Sequence, residues 1–383
     1  MTPGIDFHDA EDVFAASVDG TVGLEEEFAI VDPKSLELVP RFDELRLAAK
    51  THESLDSAIA GELIRSEIEI RSGRGENLAH AQQMQQDHRA SLFALAREQG
   101  LALAATGTHP WADYRDQQII DTDHYRRVES DLRWVASRNN TFSLHVHVGV
   151  NGLNRAVRVC DRLRHVLPAL LAISASSPFL DGRDTGLHSV RTQIFTKSFP
   201  RCGIPDAYGS WDGFRRYLET LLAVQSIVEY TQVWWSVRPH LSFGTVEVRI
   251  CDAQPTAAES DGLAQLITAC VLQAARDEDE GVPMPDVSRG LLEENFWRAI
   301  RFGVEGKMID FDRLVEYPGA ESMDRLLSWT APVRAEHGIS PDLPALNATQ
   351  RQRAEVAEGR SIREVYGELL RKTGDTYAPE TVA

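Results

Sequence analysis

The sequence has little lysine and an overall deficit of positive charge. Its 383 residues contain five Lys, 35 Arg and 58 Asp plus Glu, and the formal net charge is −18 at pH 7. Because nucleic acids and anionic membranes attract basic surfaces, this balance excludes general binding to either. The excess of Arg over Lys is typical of a GC-rich genome, although Arg also recognises carboxylates and phosphates through two parallel hydrogen bonds.

Cysteine and long hydrophobic segments are also scarce. The four Cys lie far apart without a C-x-x-C pair, which favours reduced thiols in the cytoplasm. The acidic N-terminus has no apolar core of the kind that a signal peptide needs. The most apolar stretch, 166–180, is interrupted by Pro and Ser and is too short to span a bilayer. We therefore expect a cytoplasmic protein without a membrane segment.

Several common catalytic and nucleotide-binding motifs are missing. The chain has no G-x-x-x-x-G-K-[ST] loop, no G-x-G-x-x-G after a strand and no G-x-S-x-G elbow. A P-loop, a Rossmann dinucleotide site and an α/β-hydrolase nucleophile are therefore unsupported. Any nucleotide needs a different kind of site.

The hydrophobic pattern predicts an α+β fold, in which strands of the first two thirds are surrounded by helices. We interpret 1–383 as a single catalytic domain with a core of about 20–370. The predicted strands are 21–31, 63–71, 101–107, 141–150, 233–239 and 245–250.

The predicted helices include 77–99 and 154–175, and two more begin with capping boxes at Thr256 and Ser361. The region 280–383 is expected to be mostly helical with no strand of note. The acidic run 277–280 is predicted to be a solvated loop.

Four predicted strands carry polar side chains on one face and Val, Ile, Leu or Phe on the other. The polar sets are Glu25 and Glu27; Arg65, Glu67, Glu69 and Arg71; His145 and His147; and Thr245, Glu247 and Arg249. For one strand alone, a solvated outer face explains such a pattern. Across the set, Lys is absent, and each Glu-x-Glu pair places like charges about 7 Å apart, which is unfavourable without an intervening cation.

If these strands are neighbours, they direct carboxylates, two imidazoles and guanidinium groups into one cavity. Dense carboxylates suit Mg²⁺ or Mn²⁺, and added Arg suits a metal-bound phosphate. His-x-His also occurs in zinc hydrolases, so a metal-dependent hydrolase that uses His145 and His147 stays an alternative.

Short motifs in a specific order resemble the bacterial carboxylate–amine ligases, the family of the second type of glutamate–cysteine ligase. The motifs are Gly23-Leu-Glu-Glu-Glu-Phe28, Gly107-Thr-His-Pro110, His145-Val-His-Val-Gly149, Ser176-Ser-Pro-Phe179, and Arg238-Pro-His240 followed by Thr245-Val-Glu-Val-Arg-Ile-Cys-Asp252. The resemblance implies a glutamine-synthetase-like catalytic fold: a curved, mainly antiparallel sheet of about six strands, walled by helices. It also implies a homodimer.

The resemblance further implies a reaction in which ATP phosphorylates a carboxylate and an amine then displaces the phosphate. The implied substrates are ATP, glutamate or a similar carboxylate, and cysteine or another amine, with Mg²⁺ or Mn²⁺ as cofactor. Weak cysteine ligation is an open alternative. A catalytically weak, nucleotide-binding regulatory relative is another.

Carried over residue by residue, the resemblance implies a ligand set and two further roles. The implied metal ligands are Glu25, Glu27, Glu62, Glu69, His145 and Glu247. Arg249 would contact the transferring phosphate, and His147 would lie at the substrate. The choice between Glu67 and Glu69 stays open, and Glu67 stands where a neutral amide is usual. Ser143-Leu144 stands where a glycine is expected.

Two further Arg are candidates for the α-carboxylate of an amino-acid substrate, because an Arg fork can bind a carboxylate through two hydrogen bonds. They are Arg191, in Ser189-Val-Arg191, and Arg238. Trp111, Trp234 and Trp235 are either pocket walls or buried core aromatics, and the core interpretation is favoured.

Overall fold

The computed structural model describes residues 7–379. Its strands are β1 (Val22–Val31), β2 (Ile59–Ala60), β3 (Glu67–Arg71), β4 (Ala102–Ala104), β5 (Ser143–Gly149), β6 (Phe179–Leu180), β7 (Arg183–Asp184), β8 (Cys202–Gly203), β9 (Trp234–Trp235), β10 (Val237–His240), β11 (Thr245–Asp252), β12 (Lys307–Asp310) and β13 (Val315–Pro318).

Helices occupy the connections between these strands and most of the C-terminal part. They are α1 (Phe7–Ala15), α2 (Phe42–Ala49), α3 (Glu53–Asp56), α4 (Leu78–Glu98), α5 (Asp123–Leu132), α6 (Trp134–Ser137), α7 (Leu153–Leu163), α8 (Leu167–Ser174), α9 (Val190–Ser198), α10 (Trp211–Ala223), α11 (Ala257–Asp279), α12 (Arg289–Phe302), α13 (Ser322–Trp329), α14 (Ala331–His337), α15 (Ala348–Ala357) and α16 (Ile362–Tyr377). Among the described residues, no helix combines the length and apolar character that crossing a membrane requires.

One seven-stranded sheet organises the fold. Its order is β10-β11-β5-β1-β3-β2, and β4 pairs with β1 as well. Every pairing in this sheet is antiparallel. The predicted α+β class with a mainly antiparallel sheet is therefore confirmed.

The register brings the predicted polar faces together. Glu25 is opposite His145, and Glu27 is opposite Glu69. Glu247 is opposite His147. Since directly opposed residues of an antiparallel pair point to the same side, one face of the sheet carries all of these groups.

The other face of the sheet is the floor of the hydrophobic core. Its alternating residues are almost fully buried: Leu24, Val146, Val148, Val246 and Val248. Helix α11 packs against β5 and α7, and α4 packs against β1. The hydrophobic layer thus fixes the strand register, because a slip by one residue would move these side chains into the polar cavity.

The observed boundaries correct several of the predictions. The strand predicted at 63–71 forms only as β3, and the helix predicted at 154–175 divides into α7 and α8. Helix α11 continues to Asp279, so 277–280 is not a loop; Asp277 accepts hydrogen bonds from Gln273 and Trp329 instead of remaining solvated. The mostly helical region after 280 contains the β12–β13 hairpin. Local sequence alone did not reveal these tertiary contacts.

Candidate active site

The polar face of the sheet lines a cavity of about 280 Å³. We call it the carboxylate cavity. Six Glu reach it, together with three His and three Arg that lie on the sheet: Glu25, Glu27, Glu62, Glu67, Glu69, Glu247, His145, His147, His240, Arg71, Arg238 and Arg249. The cavity therefore has more acidic than basic side chains on its sheet side.

Glu25 connects the two histidines of β5. Its Oε2 lies 3.2 Å from His145 Nδ1, and its Oε1 lies 3.5 Å from His147 Nε2. Burial alone would raise the pKa of Glu25, but His147 and His145 hold that pKa well below its usual range. The same contacts, from Glu25 and Glu247, raise the pKa of His147 against the effect of burial.

Ser143 links Glu27 to His145. Its backbone N–H and its hydroxyl both donate to Glu27 Oε2, and its Oγ lies 2.8 Å from His145 Nε2. Burial, followed by the Arg249 charge, lowers the pKa of His145. The serine that departs from the expected glycine thus orients two of the implied metal ligands.

Two guanidinium groups hold Glu247. Arg238 Nε donates to its Oε2 over 2.6 Å, and Arg249 donates to its Oε1. Burial opposes ionisation, yet these two Arg hold the pKa of Glu247 well below its usual range. Glu247 is therefore a fixed carboxylate at the centre of the β10–β11 side.

The carboxylates of the β3 side are mutually repulsive. Burial and then the neighbouring Glu27 raise the pKa of Glu62 to about 8. Burial and nearby carboxylates also raise the pKa of Glu67 and of Glu69 well above the usual range. A divalent cation would relieve this repulsion directly.

Within residues 7–379, three groups of side chains have the composition of a divalent-metal site. They are Glu25–Glu69–His145, Glu25–His147–Glu247 and Glu27–Glu62–Glu69, and within each group the candidate ligand atoms lie within 4.8 Å of one another. His147 Nε2 is buried and has no hydrogen-bond partner among the described residues. Oxygen ligands with a few imidazoles fit Mg²⁺ or Mn²⁺. All six predicted ligands belong to these three groups. Glu69 belongs to them and Glu67 does not, and His147 is an additional candidate.

The two predicted substrate-binding arginines are placed differently from the expectation. Arg238 borders the cavity, but it donates to Glu247 and to the carbonyls of Thr231 and Val233. Arg191 does not line the cavity; its guanidinium donates to the carbonyls of Ile250 and Arg249 behind β11. Tertiary contacts that the sequence does not reveal thus already hold both guanidinium groups, although the buried Nε of Arg191 has no hydrogen-bond partner among the described residues.

Two sequence motifs form a structural junction. Asp252, at the end of β11, is fully buried and accepts from the Ser176 amide (2.9 Å), the Ser177 hydroxyl (2.6 Å) and the Ser189 hydroxyl (2.8 Å). A Cβ at Gly107 would lie 2.6 Å from Asp252 Oδ2, so this position requires glycine. These motifs therefore anchor β11, the strand that carries Glu247 and Arg249.

An aromatic wall faces the sheet across the cavity. Phe195, Phe199 and Trp234 line it, with ring centroids 4.7 Å apart for the two Phe and 5.7 Å apart for Phe199 and Trp234. Trp235 is buried in the core as favoured, and Trp111 donates instead to Glu37. The sequence offered no signal for the two Phe, since a phenylalanine side chain is usually a core residue.

A second cavity of about 630 Å³ adjoins the first. We call it the outer cavity. It shares Glu25, Arg71, His147 and Phe243 with the carboxylate cavity and is otherwise lined largely by small and apolar residues. The two cavities together provide a charged compartment next to a mainly apolar one, which no single motif indicated.

The fold of the chain is shared with solved ligases. A bifunctional glutathione synthetase from Pasteurella multocida matches 97% of this chain with a TM-score of 0.69 at 13% identity, and the chain spans 54% of that protein. A glutamate–cysteine ligase from Francisella tularensis in complex with AMP matches 96% of this chain and 90% of its own, with a TM-score of 0.68 at 13% identity. At this identity the likeness establishes the fold.

Closer relatives establish the family. A protein of Solibacter usitatus named "Putative glutamate--cysteine ligase 2" is 35% identical over 360 residues, covering 92% of this chain and 93% of its own length. A Rubrobacter xylanophilus protein named "Putative glutamate--cysteine ligase 2-3" is 36% identical over 367 residues, covering 94% and 99%. The family model of glutamate-cysteine ligase family 2 matches residues 21–364, and the chain belongs to this family of ligases.

Proposed function

We propose that the protein is an ATP-dependent carboxylate–amine ligase that activates glutamate as an acyl phosphate and transfers it to an amine. Cysteine, which the names of the relatives indicate, is the proposed acceptor. The observation that carries the proposal is the set of three overlapping metal-type clusters on one sheet face, beside a cavity large enough for a nucleoside.

The chemistry explains why such a face is useful. A carboxylate is a poor electrophile, and it repels the γ-phosphate of ATP because both are anions. Bound Mg²⁺ or Mn²⁺ supplies charge neutralisation and Lewis-acid polarisation for this transfer. The residues that would hold the cations are those of the three clusters, with Glu25 and Glu69 shared between two clusters each.

The arginines near the clusters have separate proposed roles. Arg249 is on the cavity side of a bulge in β11, and its buried Nε has no hydrogen-bond partner among the described residues. These two observations support the proposal that Arg249 stabilises charge on the transferring phosphoryl group. Arg238 holds Glu247 in position. The substrate-binding role of Arg191 stays a prediction, which unequal effects of Arg191→Lys on the KM for glutamate and for ATP would support.

The domain organisation, the cellular location and the oligomeric state are also part of the proposal. The family match over 21–364 supports a single catalytic domain. Four buried, unpaired cysteines support a reducing, cytoplasmic location. A homodimer rests on the family resemblance alone.

The test is ADP release over a matrix of carboxylates and amines, with mass spectrometry of the products. Glutamate- and amine-dependent ADP with an amide product supports the proposal. Metal-dependent product without ATP would establish the hydrolase alternative instead, and nucleotide binding without turnover would establish the regulatory one. Glu247→Gln should lower turnover by at least about 100-fold, the range for loss of a group that positions the reacting phosphoryl. Unfolding curves check that this variant is folded.

A further inference from the structure

Arg71 is a guanidinium group of the sheet face with spare hydrogen-bond donors. It ends β3, is opposite Glu25 in the ladder and borders both cavities. Its side chain is 38% exposed, and its nearest acid contact is 3.6 Å, from Nε to Glu69 Oε1. Arg238 and Arg249, by contrast, both bind Glu247. Arg71 therefore has donors available for an anionic ligand.

A second arginine and an exposed aromatic ring also line the outer cavity near Arg71. The loop after β3 turns at Gly73, whose φ of +78° is readily accessible only to glycine, and presents the exposed Arg74 to the same cavity. At the boundary, the Phe243 ring is 55% exposed and stacks on His240 at 4.1 Å. A free aromatic face and two guanidinium groups thus lie around one mainly apolar space.

The geometry points to Arg71, supported by Arg74, as the group that binds the polyphosphate of a nucleotide whose base and sugar occupy the outer cavity. This assignment rests on the proposed ligase function and deepens it. An apolar space of 630 Å³ suits a nucleoside, and Arg is well matched to phosphate oxygens through its planar fork.

The order of groups along the sheet explains why the anion is a polyphosphate and not the carboxylate of glutamate. Among the three clusters, Glu25–His147–Glu247 contributes two members to the wall of the outer cavity. The cluster of Glu27, Glu62 and Glu69 borders only the carboxylate cavity. A chain of phosphates that extends from the outer cavity into the carboxylate cavity consequently lies beside Arg71, which borders both.

The test is direct binding to the full chain in Mg²⁺ buffer, by isothermal titration calorimetry with ADP, adenosine and inorganic triphosphate. Arg71→Met should weaken ADP and triphosphate by at least 10-fold and adenosine by less than 2-fold; Arg74→Met should have a smaller effect of the same kind. Arg65→Met is the matched control, because Arg65 is 34% exposed, pairs with Asp43 and lines neither cavity. Kinetically, the KM for ATP should rise while that for glutamate stays constant.

Two results would overturn the assignment. One is wild-type affinity of Arg71→Met for ADP and triphosphate; the other is a rise confined to the KM for glutamate. The binding assay needs no turnover, so it separates this assignment from the ligase proposal. If the wild-type protein binds Mg²⁺–ADP but forms no amide, the ligase proposal is refuted, and the binding assay still tests the role of Arg71. If the wild-type protein binds neither nucleotide nor triphosphate, the outer-cavity site is refuted.

Discussion

Glu25 and Glu26 are neighbours in β1, face opposite sides of the sheet and have opposite charge environments. Behind the sheet, Glu26 accepts from Arg89 Nε at 2.6 Å and Nη2 at 2.9 Å, from Gln85 at 2.7 Å and from Ser260. Its pKa is lowered despite burial, chiefly by Arg89. The carboxylate cavity contains six carboxylates and three guanidinium groups of the sheet, and two of these guanidinium groups donate to the same carboxylate, Glu247.

This difference separates a structural acid from functional ones. A buried carboxylate that serves the fold has its partners within the chain, since an unpaired buried charge is strongly destabilising. The carboxylates of the cavity keep a surplus of negative charge, which is unfavourable until a cation arrives. The account therefore predicts opposite signs for mutations on the two faces.

The largest expected effect comes from breaking the structural pair. Arg89 is 1% exposed, and Arg89→Met leaves Glu26 buried without its main partner. We expect the free energy of unfolding to fall by about 3–5 kcal/mol, as for other broken buried pairs. Urea unfolding measures this, and a loss below about 1 kcal/mol would contradict the comparison.

A second structural group, His109, is buried in its neutral form. Its Nε2 lies 2.8 Å from the Leu36 carbonyl, its Nδ1 accepts from the Ala112 amide, and burial lowers its pKa to about 4. Because the unfolded chain takes up this proton near pH 6.5, stability from this group is complete above pH 6.5 and is lost as the pH falls towards 4. The expected loss between pH 7 and 4.5 is about 2 kcal/mol.

The measurement for His109 is the free energy of unfolding as a function of pH. His109→Gln should make the curve shallower between pH 4 and 6.5, whatever its effect at pH 7. His80→Gln, which replaces an exposed imidazole on a helix, is the control variant. An unaltered slope in the His109 variant would show that the imidazole is not held neutral.

The smallest effect is expected in the cavity and has the opposite sign. Glu69→Gln removes a carboxylate whose pKa is raised by burial and by its acidic neighbours. Without divalent cations, this variant should be more stable than the wild type by about 1 kcal/mol, because like charges no longer repel. Its gain in stability on adding Mn²⁺ should be smaller than that of the wild type. Thermal unfolding with chelator and with Mn²⁺ compares the two, and destabilisation in chelator would refute the idea of surplus charge.

The sequence was informative wherever one local rule was sufficient. Strand alternation gave each strand one polar face, because side-chain direction has a period of two, and the register then joined these faces. The family resemblance identified the departure at Ser143, which proved to hydrogen-bond Glu27 and His145.

Predictions that depend on distant partners could not be made in this way. Arg238 and Arg191 are residues of the type that binds a substrate carboxylate, yet in the folded chain their guanidinium groups donate to other protein groups. The pair of Arg89 and Glu26 spans 63 positions; strand alternation assigns Glu26 to the hydrophobic face but does not reveal its partner. The outer cavity is formed by segments from across the chain and has no local signature.

Equilibrium binding of Mn²⁺ to the nucleotide-free protein, followed by electron paramagnetic resonance, tests the central claim most directly. The claim is that the surplus carboxylates of the sheet face exist to hold divalent cations. We predict at least two saturable sites per chain in the wild type and a loss of binding in Glu25→Gln, because Glu25 belongs to two of the three clusters. Absence of saturable binding in the wild type, or full binding in Glu25→Gln, would contradict the account.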